Sequence, residues 1–479
     1  PFLGQVLDEP LLRRIQVEIL TNYRKLGYPL VDVVLPPQTV TGGVLQILVI
    51  ESKLGKIVFE GTNKWTSTGY IRRNLHLDEG SAVQEKKLTS DLNWLNRSKF
   101  RSMDLYYKPG EAQFESDLVV RTSERFPLGG SIGINNHGNR LTGGGLLSAG
   151  VEWAHPVGAQ DHSISYRYLS DLDLKFLKVH LASYRIELPW HHSLTLSGSY
   201  SKVRSDVGTS LITQEGTSYG GSLRYEIELP QIGSFRHLAS LGTGLYRSDN
   251  NLEFNLISVL ADKTDSFETS LGYTGILPDA WGNTFFGIEY SYSPGDVTSH
   301  NTDALFETSY PFAEANYMYA RMNIERITRL PWEFSWRASG SYQISDGNLL
   351  PGPQMGLGGA YTIRGYEERF VSGSEGFMVI NELRLPSFSP GGWLDRTAKD
   401  EMQILGFLDY GETTNPKLQL GEDPHRLLMS SGVGMRYQVS RFLSVRFDYG
   451  WQLTDPNRGR SLGRDVPKSR GHISATFSF

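Results

Sequence analysis

The sequence predicts a mainly β protein: a 16-stranded antiparallel transmembrane β-barrel preceded by α+β domains. Three observations predict it. From about Phe126 onward, segments of roughly ten residues alternate apolar and polar side chains and are separated by turn residues, as strands do between lipid and a wet lumen. The apolar faces end in aromatics, as girdles at the two membrane interfaces require. Before Phe126 the pattern changes to helices interleaved with strands, in a unit that occurs nearly twice.

Composition permits this. The chain has 479 residues, enough for one very large β unit with smaller domains beside it. Charged residues are 21% and the formal net charge is −5, which points away from nucleic-acid binding and from a disordered acidic tail. With no cysteine, neither a disulfide framework nor a thiolate metal site is available. The chain opens at Pro1 without methionine or an apolar leader, and so reads as processed or trimmed. No run approaches the roughly 20 apolar residues of a spanning helix; "VLQILVI" (Val44 to Ile50) is far too short. Hydropathy is blind to barrels, because each strand averages to polar.

The first elements follow in order. "DEPLLRRIQVEILTNYRKLGYPL" carries Leu11, Leu12, Ile15, Ile19, Leu20 and Tyr23 at helical spacing, with Gly27 as the C-cap. "LVDVVL" (Leu30 to Leu35) and "GVLQILVIE" (Gly43 to Glu51) read as strands. "LGKIVFEG" is a strand, "TSTGYIRRNLHL" and "SAVQEKKLTSDLNWLNRSKF" are helices, and "MDLYYKPG" and "AQFESDLVVRTSE" are strands. The second helix carries Leu88, Leu92 and Leu95 on one stripe, as a domain core needs. Residues 55–125 thus run β-α-α-β-β, and residues 1–54 run α-β-β, the same unit clipped at its start.

Residues 126–479 hold sixteen alternating segments, an even count as in bacterial barrels. In "FLSVRFDYGW" one face is Leu443, Val445, Phe447, Tyr449 and Trp451; the other includes Ser444, Arg446 and Asp448. In "GHISATFSF" Ile473, Ala475, Phe477 and Phe479 share the apolar face. A soluble sandwich also alternates, but only a wide barrel puts charges of both signs around an internal aqueous space.

Between segments eleven and twelve stand residues 345–374, a 30-residue connection where hairpins ordinarily use about two to five. It contains "GGAYTIRGYEERF" (Gly358 to Phe370). Gly352, Gly356, Gly358 and Gly359 permit close backbone packing, and Tyr361, Ile363, Tyr366 and Phe370 are too apolar for a free tail, so the loop should fold back on the protein. Arg364 then needs an acceptor. In "EMQILGFLDYGE", Asp409 on a lipid face would be costly, so it should point inward with Gln403 and Phe407, while Met402, Ile404, Leu408 and Tyr410 face lipid. Guanidinium and carboxylate would clamp the loop. Glu382 and Arg384 also point inward if Val379 and Leu383 face lipid.

A β-α-α-β-β repeat before a sixteen-strand barrel resembles the POTRA-plus-barrel plan of outer-membrane polypeptide transporters. Within it, the chain most resembles the TpsB transporters of two-partner secretion, the hemolysin secretion/activation proteins. The family's (V/I)RG(Y/F) loop motif stands as Ile363, Arg364, Gly365 and Tyr366, and its FxDxG partner as Phe407, Asp409 and Gly411. "GINNHGNRLTG" (Gly133 to Gly143) resembles the first barrel hairpin; Phe477 and the terminal Phe479 match the C-terminal signal read by barrel-assembly machinery. The resemblance implies an incomplete first POTRA unit (1–54), a second (55–125) and the barrel (126–479) in the bacterial outer membrane. It implies a secreted TpsA-type exoprotein captured unfolded in the periplasm and passed to the cell surface without ATP, with outer-membrane lipids and barrel-assembly machinery as further partners and no nucleic acid. Capture by strand addition suits an exposed sheet edge, for which Val31, Val33 and Leu35, and Met103, Leu105 and Tyr107, are the candidates.

Other readings weigh less. "GTSYG" (Gly216 to Gly220) matches GxSxG but lies within a β-hairpin run instead of the strand-turn-helix elbow that chemistry needs. HExxH, P-loop and dinucleotide fingerprints do not occur, and no catalytic, metal or cofactor site is expected. His191 and His192 sit at a turn and read as interfacial. A diffusion porin explains the barrel alone; a barrel-assembly factor shares POTRA units and the loop motif, and is the alternative.

Overall fold

The computed structural model describes residues 2, 4–38, 40, 43–61, 64–138, 144–206, 212–254, 257–393, 399–454 and 468–479. The tip of the Gly133–Gly143 hairpin, residues 139–143, lies outside them. The chain divides into two compact units, Pro1–Leu128 with Ala154–Gln160, and Gly129–Trp153 with Asp161–Phe479.

In the first unit, helix α1 (Glu9–Lys25) starts where the Asp8 carboxylate accepts from the Leu11 amide at 2.8 Å. That satisfies one of the orphan donors of the first turn. It ends where Gly27 takes φ +91° and the Tyr28 amide donates back to the Tyr23 carbonyl at 3.1 Å, a Schellman-type closure. Strand β1 (Val31–Val34) pairs antiparallel with β2 (Leu48–Glu51), which is shorter than the run from Gly43 suggests. Next come β3 (Lys53–Gly61), α2 (Thr68–Asn74), α3 (Glu85–Leu95), β4 (Arg101–Pro109) and β5 (Glu115–Glu124). They build a sheet in the order β3-β5-β4, with β3 parallel to β5. Both helices bury Tyr70, Ile71, Leu88 and Leu95 against Leu54, Ile57, Leu118 and Val120 of that sheet.

Strand β4 is at an edge of this sheet, and the side chains of the candidate capture residues Met103, Leu105 and Tyr107 turn into the core, so only their backbone is on offer there. The Tyr107 hydroxyl has no hydrogen-bond partner among the described residues, and burial pushes its pKa up to about 12. Period-two alternation decides the matter: the side chains left outside are Ser102, Asp104, Tyr106 and Lys108. Likewise Val33 is buried, while Val31 and Leu35 are half-buried.

The second unit is a closed barrel of sixteen antiparallel strands. It opens with β6 (Leu128–Asn135), β7 (Leu146–Ala154), β8 (His162–Asp171), β9 (Leu177–Leu188) and β10 (His192–Asp206). It continues with β11 (Ile212–Glu228), β12 (Arg236–Phe254), β13 (Ile257–Asp279) and β14 (Gly282–Pro294). Helix α4 (Asp303–Ser309) precedes β15 (Asn316–Arg329) and β16 (Ser335–Ser345). Strands β17 (Met355–Leu357) and β18 (Val371–Gly373) pair with each other and are not part of the wall sheet. The wall resumes with β19 (Glu375–Arg384), β20 (Asp400–Thr414), β21 (Arg426–Val439), β22 (Leu443–Gln452) and β23 (Ser469–Ser478). It closes where Ser474–Ser478 of β23 pair with Ser131–Asn135 of β6.

Alternation sets the two faces. Along β10, Leu194, Leu196 and Tyr200 point outward, and Ser193, which binds Arg185 at 2.7 Å, points inward. Strands β12 and β13, of 19 and 23 residues, run well past the roughly ten residues over which alternation marks a segment. "GTSYG" falls in the middle of β11, with no helix after it.

Candidate functional site

The connection after β16 turns back on the barrel wall through three glycines with left-handed backbone, Gly358, Gly359 and Gly365, at φ +103°, +113° and +91°. Side chains would be strained there. Met355, Leu357, Ile363, Tyr366 and Phe370 of the connection pack together with Leu428 of β21. Gly411 explains itself: a Cβ on it would lie 2.9 Å from Leu357 Cδ1.

At the tip, Arg364 is the hub. Its backbone amide donates to Asp409 Oδ2 at 3.1 Å, Nε to the same oxygen at 2.7 Å, and Nη2 to Oδ1 at 2.7 Å. Nη1 donates to Glu382 Oε1 at 2.8 Å and to Asp448 Oδ1 at 3.2 Å. The guanidinium carbon stands 3.6 Å above the Phe407 ring centroid. Arg364 is 1% exposed, Glu382 2%, and Asp409 and Asp448 0%. Only a planar fork can serve three carboxylates and an aromatic face at once.

Around these carboxylates lies a second tier of cations. Arg384 donates to Glu382 Oε2 at 2.6 Å. Arg436 reaches Asp448 Oδ1 at 2.9 Å and Arg446 reaches Oδ2 at 2.7 Å. Arg446 also donates to the Ala360 carbonyl at 2.7 Å and stacks on Tyr361, tying this tier back to the loop. Burying so many charges is tolerable only because each is paired.

The residues after Arg364 are held as closely. The Gly365 amide donates to His472 Nε2 at 3.1 Å, and its carbonyl accepts from Gln452 Nε2 at 2.6 Å. Gly365 lies flat on Gly450 of β22: a Cβ on Gly450 would be 2.7 Å from the Gly365 nitrogen. The Tyr366 hydroxyl donates to the Met429 carbonyl at 2.9 Å.

The structure thus brings together Ile363, Arg364, Gly365, Tyr366, Phe407, Asp409, Gly411, Glu382 and Arg384. It keeps Val31, Val33, Leu35, Met103, Leu105 and Tyr107 apart, in the first unit. Phe477 and Phe479 lie at the far end of β23, largely exposed on the outer face. The Phe479 amide donates to the Gly130 carbonyl at 3.0 Å. The alternation placed Asp448, Gly450 and His472 on the polar faces of their strands without showing their roles, and did not single out Gln452. One signal existed: "FDYG" (Phe447 to Gly450) echoes "FLDYG" (Phe407 to Gly411).

Asp448→Asn keeps the shape but removes one charge from the ring, while Asp409 retains its two-pronged grip on Arg364. Secretion is expected to fall severalfold without being abolished; exoprotein in the medium, measured against the amount of folded barrel, checks this.

Comparisons with known proteins agree with this architecture. The family described as haemolysin secretion/activation protein ShlB/FhaC/HecB matches residues 115–437, and a POTRA domain of ShlB type matches residues 1–52. The outer membrane transporter CdiB of Escherichia coli O6:K15:H31 (strain 536 / UPEC) is 24% identical over 430 residues, 84% of this chain and 70% of that protein. The heme/hemopexin transporter protein HuxB of Haemophilus influenzae is 23% identical over 421 residues, 81% of this chain and 68% of that one. The solved structure of CdiB from Escherichia coli is similar with a TM-score of 0.81 at 18% identity, covering 100% of this chain and 86% of that chain. With a family match over more than half its length, the chain belongs to the haemolysin secretion/activation protein family, the TpsB outer-membrane transporters that secrete an exoprotein in two-partner secretion.

Proposed function

We propose that residues 1–54 and 55–125 act as two POTRA units that capture an unfolded exoprotein in the periplasm. The barrel of residues 126–479 then passes it to the cell surface, with the loop 345–374 held in a transport-competent position by Arg364. The observation that carries this reading is the buried ring of Glu382, Asp409 and Asp448 around that one arginine. So costly an arrangement serves position, since apolar residues of equal volume would serve stability as well or better. The periplasm has no general supply of ATP, so folding of the cargo outside the cell supplies the direction of travel. Outer-membrane lipids surround the apolar face. Barrel-assembly machinery reads Phe477 and Phe479 during biogenesis.

Capture takes place along the edge of β4, through its backbone and the outward side chains of Asp104 and Tyr106 rather than through Met103, Leu105 and Tyr107. Strand addition needs an unpaired edge; β4 lies at the edge of its sheet, and the Asn96 side chain caps the Met103 amide and carbonyl, which leaves the stretch beyond Met103 for the incoming strand. A photocrosslinker placed at Tyr106 is expected to trap the exoprotein during secretion, and one at core position Leu118 is not. Equal trapping at both positions would refute edge capture.

The whole reading is tested by co-expression with a large, β-rich secreted protein from the same organism as candidate cargo. Surface delivery that depends on this chain supports it. Insertion of unrelated barrels without any secreted cargo would identify an assembly factor instead.

A further inference from the structure

The connection from β14 to β15, residues 295–315, is a second long loop, and it stands at the outer end of the barrel. Strand direction places it there: β6 leaves the periplasmic side, so β14, the ninth strand of the wall, also runs outward. Gly295 and Asp296 open the loop with left-handed backbone at φ +71° and +52°, and Phe312 follows α4 at +61°. Such backbone is uncommon away from glycine and persists where the surroundings hold it.

One end of the loop is hooked over β13. The Asp265 amide donates to the His300 carbonyl at 2.9 Å, and the Asn301 side chain donates to the Asp265 carbonyl at 2.8 Å. Thr298 Oγ1 donates to Asp265 Oδ2 at 2.7 Å. From there α4 turns inward. Phe306, 0% exposed, packs with Tyr317 and Tyr319 of β15 and with Leu349 and Leu350 of the connection after β16. Both tyrosines stand on the lumen face, because Met318 and Met322 are exposed on the outer one. Their hydroxyls donate to Glu268 of β13 at 2.7 and 3.2 Å.

The other end is fastened beyond β20. Asn348 Nδ2 donates to the carbonyls of Pro311 at 3.0 Å and Lys417 at 2.8 Å, and its Oδ1 accepts from the Lys417 amide at 3.0 Å. Ala313 pairs with Asn348 in a single parallel bridge. Asn415 Nδ2 donates to the Tyr310 hydroxyl at 2.8 Å. In the wall, β14, β15, β16 and β19 separate β13 from β20. A segment pinned at β13 and again past β20, with its helix packed on lumen-facing side chains, therefore runs as a chord over the mouth.

We propose that residues 302–315 are a strap across the outer mouth, latched by Asn348 and Asn415, which unlatches to let the exoprotein leave; this rests on the transport reading above. The latch consists of hydrogen bonds between neutral groups, each of small net worth. One exposed ion pair, Lys417 with Glu314 at 2.8 Å, adds little. Such a fastening opens and re-forms without an external energy source. It is also joined to the roots of the Arg364 loop. The Leu349 amide donates to Ser374 Oγ at 2.9 Å, and the Ser374 amide donates to Asn415 Oδ1 at 3.0 Å. Movement of those roots reaches the latch directly.

A chain without cysteine allows a covalent lock. Bridge-paired residues stand within the span of a disulfide, so Ala313→Cys with Asn348→Cys is expected to oxidise at the cell surface and hold the strap shut. Exoprotein delivery should stop in oxidised cells and return, on reduction with a phosphine, to the level of Asn348→Cys alone. In planar bilayers, Phe306→Ala removes the buried anchor of α4 and should raise the ion conductance of the purified chain severalfold. Heat-modifiable migration shows that the barrel is folded in each variant. Equal delivery by oxidised and reduced cells overturns the strap, as does unchanged conductance in the folded Phe306→Ala chain. If thiol labelling shows that the two cysteines do not join, positions 313 and 348 are not neighbours and the latch is overturned too. Absence of secretion by the unsubstituted chain would sink the transport reading instead, and conductance alone would then judge the strap.

Discussion

Arg364→Ala is expected to abolish secretion while the barrel still inserts in the outer membrane. Asp409 takes all its side-chain partners from Arg364, through three hydrogen bonds of 2.7–3.1 Å. Removing the guanidinium leaves that carboxylate buried and uncompensated, a penalty of about 3–5 kcal/mol. The loop is held to the wall besides by a small apolar cluster and by hydrogen bonds with His472, Gln452, Met429 and Arg446, and the buried charge left on Asp409 works against them, favouring release of the tip and wetting of Asp409. Glu382 and Asp448 keep Arg384, Arg436 and Arg446, and the wall itself survives. Arg364→Lys should fail nearly as badly, since one ammonium cannot bridge Asp409, Glu382 and Asp448 together. Three readouts check this: exoprotein in the medium, heat-modifiable migration of the barrel, and protease access to residues 345–374. Normal secretion by both Arg364→Ala and Asp409→Ala would remove the proposed role.

Gly450→Val is the second large effect, and it leaves every charge in place. Gly365 and Gly450 meet backbone to backbone, and even a Cβ at 450 would stand 2.7 Å from the Gly365 nitrogen and 2.8 Å from its Cα. Neither strand nor loop can yield a few tenths of an ångström without losing the contacts of Arg364 or Gln452. Overpacking of this kind costs about 1–3 kcal/mol, and here it falls on the geometry of the clamp. Secretion should drop at least about tenfold, with Gly450→Ala intermediate. Gly471→Ala on β23 is the control: the nearest atom there is a Tyr449 ring carbon at 3.5 Å, an ordinary contact. If valine at 450 secretes normally, the close seating of the tip is dispensable.

The barrel was legible because lipid imposes a period of two on every strand that crosses it. Arg364 and Asp409 were legible for a related reason: a carboxylate on β20 has only the lumen to face, and a cation in an apolar loop must find it. What the pattern could not supply was the identity of partners brought together by closure. Asp448 and His472 come 84 and 107 residues after the loop positions they bind, and only the three-dimensional wall sets them side by side. Gly450 acts through the absence of a side chain, which leaves no trace in alternation. Met103, Leu105 and Tyr107 show the opposite limit. An edge strand was correctly inferred, but which of its two sides faces the helices depends on α2 and α3, not on β4.

The short junction between β6 and β23 carries an implication for biogenesis. Asn136 prolongs it, donating to the Gly471 carbonyl at 2.9 Å and accepting from the Ile473 amide at 2.8 Å, like one more rung of the ladder. The neighbouring residue His472 grips the loop tip. The strand that closes the wall therefore completes two things together, the circumference and the cradle for a segment about a hundred residues earlier in the chain. Until that strand arrives the loop has an unfinished berth, so seating it belongs among the final events of maturation.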